Sequence, residues 1–154
     1  MNILEALDFK KDLRNRIENL RKRYVNSVTV KKGYKPLEDP QKILVELENC
    51  FSQLNDICCR ISAANTTTRN SKGQTLKQLM IEMSIVEQRK ECLNRAFEEV
   101  LYGDAEIYSY GCKCQSDYDI TIDFESLKKD IDNQEIKLRK LNSEIQQLDL
   151  TTEI

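Results

Sequence analysis

Residues 124–149 read FESLKKDIDNQEIKLRKLNSEIQQLD, and in them Phe124, Leu127, Ile131, Leu138, Leu141, Ile145 and Leu148 recur at alternating steps of three and four, with Gln134 in the one open slot. A period near 3.5 residues gathers these side chains on one helical face and lets that face run along another helix, as in bundles and coiled coils. A polar residue inside such a ladder selects register or oligomer number at some cost in stability, which makes Gln134 a candidate specificity element.

Three more stretches carry the same spacing. A helix is expected over about 3–25, with Leu4, Leu7, Leu13, Ile17, Leu20 and Tyr24 inward. Asp39 as N-cap and Pro40 at the first helical position open a second helix over about 40–66, with the ladder Ile43, Leu47, Cys50, Leu54, Ile57, Ile61 and Ala64. Leu44, Phe51 and Cys58 form a second stripe beside it, so this helix is expected to face more than one neighbour. Thr75, with Gln78 three residues on, reads as a capping box for a third helix over about 75–102. Its expected inner face is Leu76, Leu79, Met80, Met83, Val86, Leu93, Phe97 and Val100. Asp123 can cap the fourth helix, over about 123–149.

Between the first two helices, Val28-Thr29-Val30 reads as β-like and Lys31-Lys32-Gly33 as a turn. Between the last two, Ile107-Tyr108-Ser109-Tyr110 and Asp119-Ile120-Thr121-Ile122 read as short strands. In an up-down-up-down arrangement the first and third connections share one end. The expected fold is therefore all-α: a single domain spanning 1–154, built as an up-down-up-down four-helix antiparallel bundle or coiled coil. A small β hairpin cap, from segments about 28–36 and 106–122, would close one end.

The composition agrees with long amphipathic helices, since 32% of the 154 residues are charged, 6% are aromatic, and only 4 Gly and 2 Pro remain for loops. No secretory signal pattern opens the chain and no stretch is apolar for the length of a membrane span, so a cytoplasmic protein is expected. In that reducing setting six cysteines are expected as thiols, and Cys50, Cys58, Cys59 and Cys92 fall within helical patterns as small hydrophobes.

Charge is unevenly distributed. Residues 10–35 hold ten bases and two acids, net +8, whereas residues 96–154 hold fourteen acids and six bases, net −8. The leading expectation is that these segments pair with each other, within one chain or between subunits. A nucleic-acid or anionic-lipid footprint is the lesser reading.

The chain contains no histidine, so neither a Cys-His nor a Ser-His-Asp nucleophile system can be assembled, and there is no Gly-rich phosphate loop. No catalytic residue is assigned and the protein is expected not to be an enzyme. Cys112 and Cys114, two apart, would face the same way on a strand and could share a metal ion. Zinc is the candidate, with two further thiols from a second subunit; a redox-active pair is the alternative, and two loop cysteines with no cofactor the plainer reading. Asn65, Thr68 and Arg69, in the polar turn between the second and third helices, are candidate ligand or phosphate contacts beside a helix start. Helix capping alone is their plainer reading. Arg21 and Asn26 have a similar setting at the end of the first helix.

Leu20-Arg21-Lys22-Arg23-Tyr24-Val25-Asn26, Gly33, Pro36 and Glu38-Asp39-Pro40, followed by Ile61, Asn65, Thr68, Gly73-Gln74-Thr75-Leu76, Ile145-Gln146 and Thr152, resemble in order the small bacterial proteins called septicolysins. Ser62, Ala64, Asp149 and Leu150 depart from that family's pattern. The resemblance implies an all-helical, oligomeric bacterial protein without established activity, and its name a membrane-active role. Taken together, the expected function is that of a non-enzymatic, self-assembling structural or interaction protein. Metal or ligand binding through the Cys112/Cys114 loop and membrane-active cytolysis are the alternatives. A homo-oligomer is the favoured partner state, ahead of nucleic acid or membrane.

Overall fold

The computed structural model describes residues 1–109 and 121–154, and the side chains of all of these except 102–109. Four helices fill the described residues: α1 (Ile3–Ser27), α2 (Pro40–Thr67), α3 (Leu76–Ser109) and α4 (Phe124–Thr151). Local chemistry sets their ends. Asn2 caps α1 through a reciprocal box in which the Glu5 N–H donates to Asn2 Oδ1 at 2.8 Å and the Asn2 N–H donates to Glu5 Oε2 at 3.0 Å. Asp39 caps α2 by accepting from the Gln41 N–H at 3.0 Å, with Pro40 supplying a first-turn position that needs no donor.

Contacts divide the chain into two compact units, residues 1–76 with 146–154, and residues 77–145. In the first, α1 and α2 run antiparallel. Ala6 and Leu13 pack with Ile57 and Ile61 near one end, and Leu20 packs with Ile43, Leu47 and Cys50 near the other. The ladder expected for α2 is the buried one. On α1 the register differs from expectation at its start: Leu4 and Leu7 are 42% and 37% exposed, while Ile3 and Ala6 are buried. Counting back from Leu13 by three, four and three gives Lys10, Ala6 and Ile3, the continuation of the seam. The chain ends hold this register in place. The Ile3 N–H donates to the Thr152 carbonyl at 3.1 Å, the Ile154 N–H donates to the Met1 carbonyl at 2.9 Å, and Ile154 packs on the Ala6 cluster.

The second unit pairs α3 with α4, again antiparallel. The Phe97 and Phe124 rings stack with centroids 4.9 Å apart, while Lys90 Nζ meets Glu135 at 2.7 Å and Lys137 Nζ meets Glu82 at 2.8 Å. Leu79 and Val86 on α3 and Leu127, Leu141 and Ile145 on α4 are buried, and Met83, Leu93, Phe97, Ile131 and Leu138 are half-buried. Met80, expected inward, is 44% exposed because the three-four steps run from Leu79 to Met83 and pass it by.

The expected β hairpin cap is corrected. The protein is all-α, with no strand among the described residues, where the isolated bridges are Asn2–Glu153 and Arg69–Thr75. Residues 107–109, read as strand, continue α3. Residues 28–36 form a turn in which the Tyr34 N–H donates to the Lys31 carbonyl at 3.0 Å and Gly33 takes φ +91°. Residues 121 and 122 precede α4 without pairing, and 110–120 lie outside the described residues. The β-branched and aromatic residues that suggested strands carry a preference of about 1 kcal/mol at most, and only where a pleated neighbour packs against them. A helix already running adds a hydrogen bond per residue without a new nucleus, so α3 extends through Ser109. Of the expected up-down-up-down bundle with its cap, what stands is the all-α chain of four helices.

Candidate functional site

The antiparallel α1–α2 pair brings the end of α1 and the start of α2 to one place, and the connection between them encloses an open cleft of about 450 Å³. Arg23, Asn26 and Ser27 from the last turns of α1 form one wall. Lys31, Tyr34 and Glu38 from the connection form another. Arg23 spans it: its Nε donates to both Glu38 carboxylate oxygens at 3.1 and 3.0 Å, and its Nη2 to Glu38 Oε1. That hydrogen bond, reinforced by the opposite charge, holds the Glu38 carboxyl below the usual glutamate range. Ser27, the buried polar residue at the base, is satisfied by donating from Oγ to the Tyr24 carbonyl at 2.8 Å.

Of the two candidates assigned to this end, Asn26 lines the cleft and Arg21 does not. Arg21 Nη2 instead pairs with Glu18 at 3.1 Å, one turn back on α1. Arg23, Lys31 and Lys35 enter the sequence reading only as members of the basic 10–35 segment, and Tyr34 not as a site residue, although a basic and aliphatic run that leaves the helical pattern is a usable signal. The strand reading turned that run into an internal structural element.

Asn65, Thr68 and Arg69 lie together at the other end of the pair, where α2 gives way to α3. Thr68 is the C-cap of α2, its N–H donating to the Ala64 carbonyl at 2.8 Å, and its own carbonyl accepts from the Leu76 N–H at 2.9 Å. Arg69 Nη1 donates to the Gly73 carbonyl at 2.8 Å. Asn70 Oδ1 accepts from the backbone N–H groups of Lys72 at 3.0 Å and Gln74 at 2.8 Å, and Gly73 closes the turn at φ +80°. The Arg69 and Asn70 side chains thus spend these hydrogen bonds on the turn itself, as helix-end chemistry requires.

Among the described cysteines Cys50 is buried, Cys58 half-buried, and Cys59 and Cys92 exposed, all as thiols. Cys112 and Cys114 lie outside the described residues. Among the described residues no three Cys, Asp or Glu side chains converge as a metal site. The ion pairs of the basic segment are made nearby: Arg16 with Glu46 at 3.9 Å, Arg21 and Lys22 with Glu18, and Arg23 with Glu38. On α4, Glu135 pairs with Lys90 and Arg139, and the amino terminus meets Glu153 at 2.9 Å.

Comparison with known proteins gives this architecture relatives. The model of a family of unknown function, DUF6847, matches residues 10–154. A crystal structure of a functionally unknown conserved protein from Corynebacterium diphtheriae is similar over 100% of this chain and 98% of its own, with a TM-score of 0.85 and 26% sequence identity. No curated protein matches the chain. None of these matches carries the septicolysin description.

Proposed function

The chain belongs to DUF6847, a family of unknown function, and within it we propose a non-enzymatic helical protein that acts by self-association, one copy docking on another through the outer face of α3. The observation carrying this reading is an apolar patch on the side of α3 away from its inner ladder. Ile81 and Ile85, one turn apart, are 55% and 52% exposed, and Met80 flanks them. Isoleucine at two successive outward turns leaves about half of each side chain in water among the described residues. Burying such side chains against a like surface returns about 25 cal/mol per Å² of apolar area. A two-fold contact is self-complementary by construction, so one patch suffices for a dimer. The lack of histidine supports the non-enzymatic part of the reading, because the common nucleophile and proton-relay arrangements depend on it.

The test is solution mass by light scattering across a concentration series, under reducing conditions. The parent chain is expected at twice the chain mass or more. Ile81→Asp/Ile85→Asp is expected at the monomer mass with unchanged helical circular dichroism. A parent that stays monomeric throughout, or a double variant that keeps the oligomer, overturns the proposal.

A further inference from the structure

The α1–α2 connection runs for twelve residues, 28–39, longer than the two to eight that usually join packed helices. Instead of closing over the helix ends with its apolar residues inward, it displays them. Val28 and Val30 are about half exposed, Tyr34 mostly exposed and Leu37 fully exposed, with Val25 of the preceding turn exposed beside them. Lys31, Lys32 and Lys35 are interleaved with these residues, and all three are exposed. The nearby acids are occupied: Glu38 is held by Arg23, and Asp39 caps α2 by accepting from the Gln41 N–H. Among the described residues the three lysines are thus left without an ion pair, on an apolar tip.

We propose that this tip is a docking element for an anionic bilayer surface, with Val28, Val30, Tyr34 and Leu37 entering the headgroup boundary and Lys31, Lys32 and Lys35 meeting lipid phosphates. Aliphatic side chains gain from leaving water, and a tyrosine is suited to a boundary that is apolar on one side and wet on the other. Lysine stems reach outward from such a boundary while the ammonium stays at the charged layer. Each basic residue near an anionic leaflet contributes about a fivefold factor in binding. Among the described residues no helix is long and apolar enough to cross a membrane, so the attachment is peripheral. Single-stranded nucleic acid offers the same charge but rewards stacking. Tyr34 is the one aromatic residue between 28 and 39, and aliphatic residues predominate there, which favours the bilayer.

The experiment is co-sedimentation of the full chain with phosphatidylcholine vesicles, with and without phosphatidylglycerol, at low and high salt. Binding is expected only to the anionic vesicles and should weaken with salt. Lys31→Glu/Lys32→Glu/Lys35→Glu is expected to lose at least about 100-fold in affinity, and Val28→Ser/Val30→Ser/Leu37→Ser about tenfold with the charge unchanged. All six positions are exposed, so both triple variants should melt with the parent, which separates a docking defect from misfolding. Equal binding to neutral vesicles overturns the proposal. So does absence of vesicle binding, or anionic binding untouched by the serine variant. A salt-sensitive DNA shift without vesicle binding would assign the tip to nucleic acid instead.

Discussion

The α1–α2 pair and the α3–α4 pair use the same three-four spacing and fill it differently. In the first pair the α2 slots from Ile43 to Ala64 are all apolar, and six of these seven are buried. Of the α1 slots, Lys10 is half-buried and Ser27 donates to the Tyr24 carbonyl. In the second pair a step of four from Val86 lands on Lys90, and the open slot of α4 holds Gln134. Lys90 is answered by Glu135 at 2.7 Å. The Gln134 side-chain oxygen is buried without a hydrogen-bond partner. Spacing therefore decides which face turns inward, and the residue in each slot decides what that burial is worth.

The largest effect that tests this contrast is a truncation in each seam. Leu20→Ala removes a buried side chain from among Ile43, Leu47 and Cys50 and should lower unfolding stability by about 2–5 kcal/mol. Leu93→Ala, at a half-buried slot of α3, should cost less than about 2 kcal/mol. Urea unfolding of both variants checks the ordering, and equal losses would break the contrast.

An intermediate effect comes from Gln134. A buried acceptor without a partner costs about 1–3 kcal/mol, so Gln134→Leu should raise the melting temperature, with a gain of about 1 kcal/mol once imperfect repacking is allowed for. A lower melting temperature would show that the amide has a structural partner when the protein is in solution.

Gln134 was legible in sequence as the odd member of a ladder, and so were the α2 seam and its Asp39-Pro40 start, because these follow from spacing and capping chemistry local to one helix. The Leu4/Leu7 register was not. Both Ile3/Ala6 and Leu4/Leu7 are apolar, and the choice is made by pairing with residues 152–154 at the far end of the chain, which no local pattern reports. The β cap failed for the opposite reason: residue preference was read where, among the described residues, no strand pairing forms. The candidate site was half legible, since a polar turn and a helix end could be located. That Arg69 and Asn70 turn their hydrogen bonds back onto the 65–75 turn while the 28–37 tip keeps exposed lysines depends on which side chains meet, and only the structure shows that.

The smallest expected effect lies along a single helix. Near the middle of α4, the hydrogen bond from Lys90 holds the Glu135 carboxyl below its usual range, whereas near the end, burial pushes the Asp149 carboxyl above its own. The consequences for stability have opposite signs. Glu135 binds its proton less readily folded than unfolded, so its contribution is present above the ordinary glutamate value and is lost as pH falls through the lowered one. Asp149 binds its proton more readily folded, so the folded state loses stability as pH rises from the ordinary aspartate value through the raised one, and the deficit persists at neutral pH. Asp149→Asn should therefore melt slightly above the parent at neutral pH, with the gap closing as the pH falls below the ordinary aspartate value. Thermal melts of the two proteins across the acid range read this directly. A gap that widens on acidification would mean that the Asp149 carboxylate has a cationic partner in the folded chain, and that this end of α4 follows the rule of its middle.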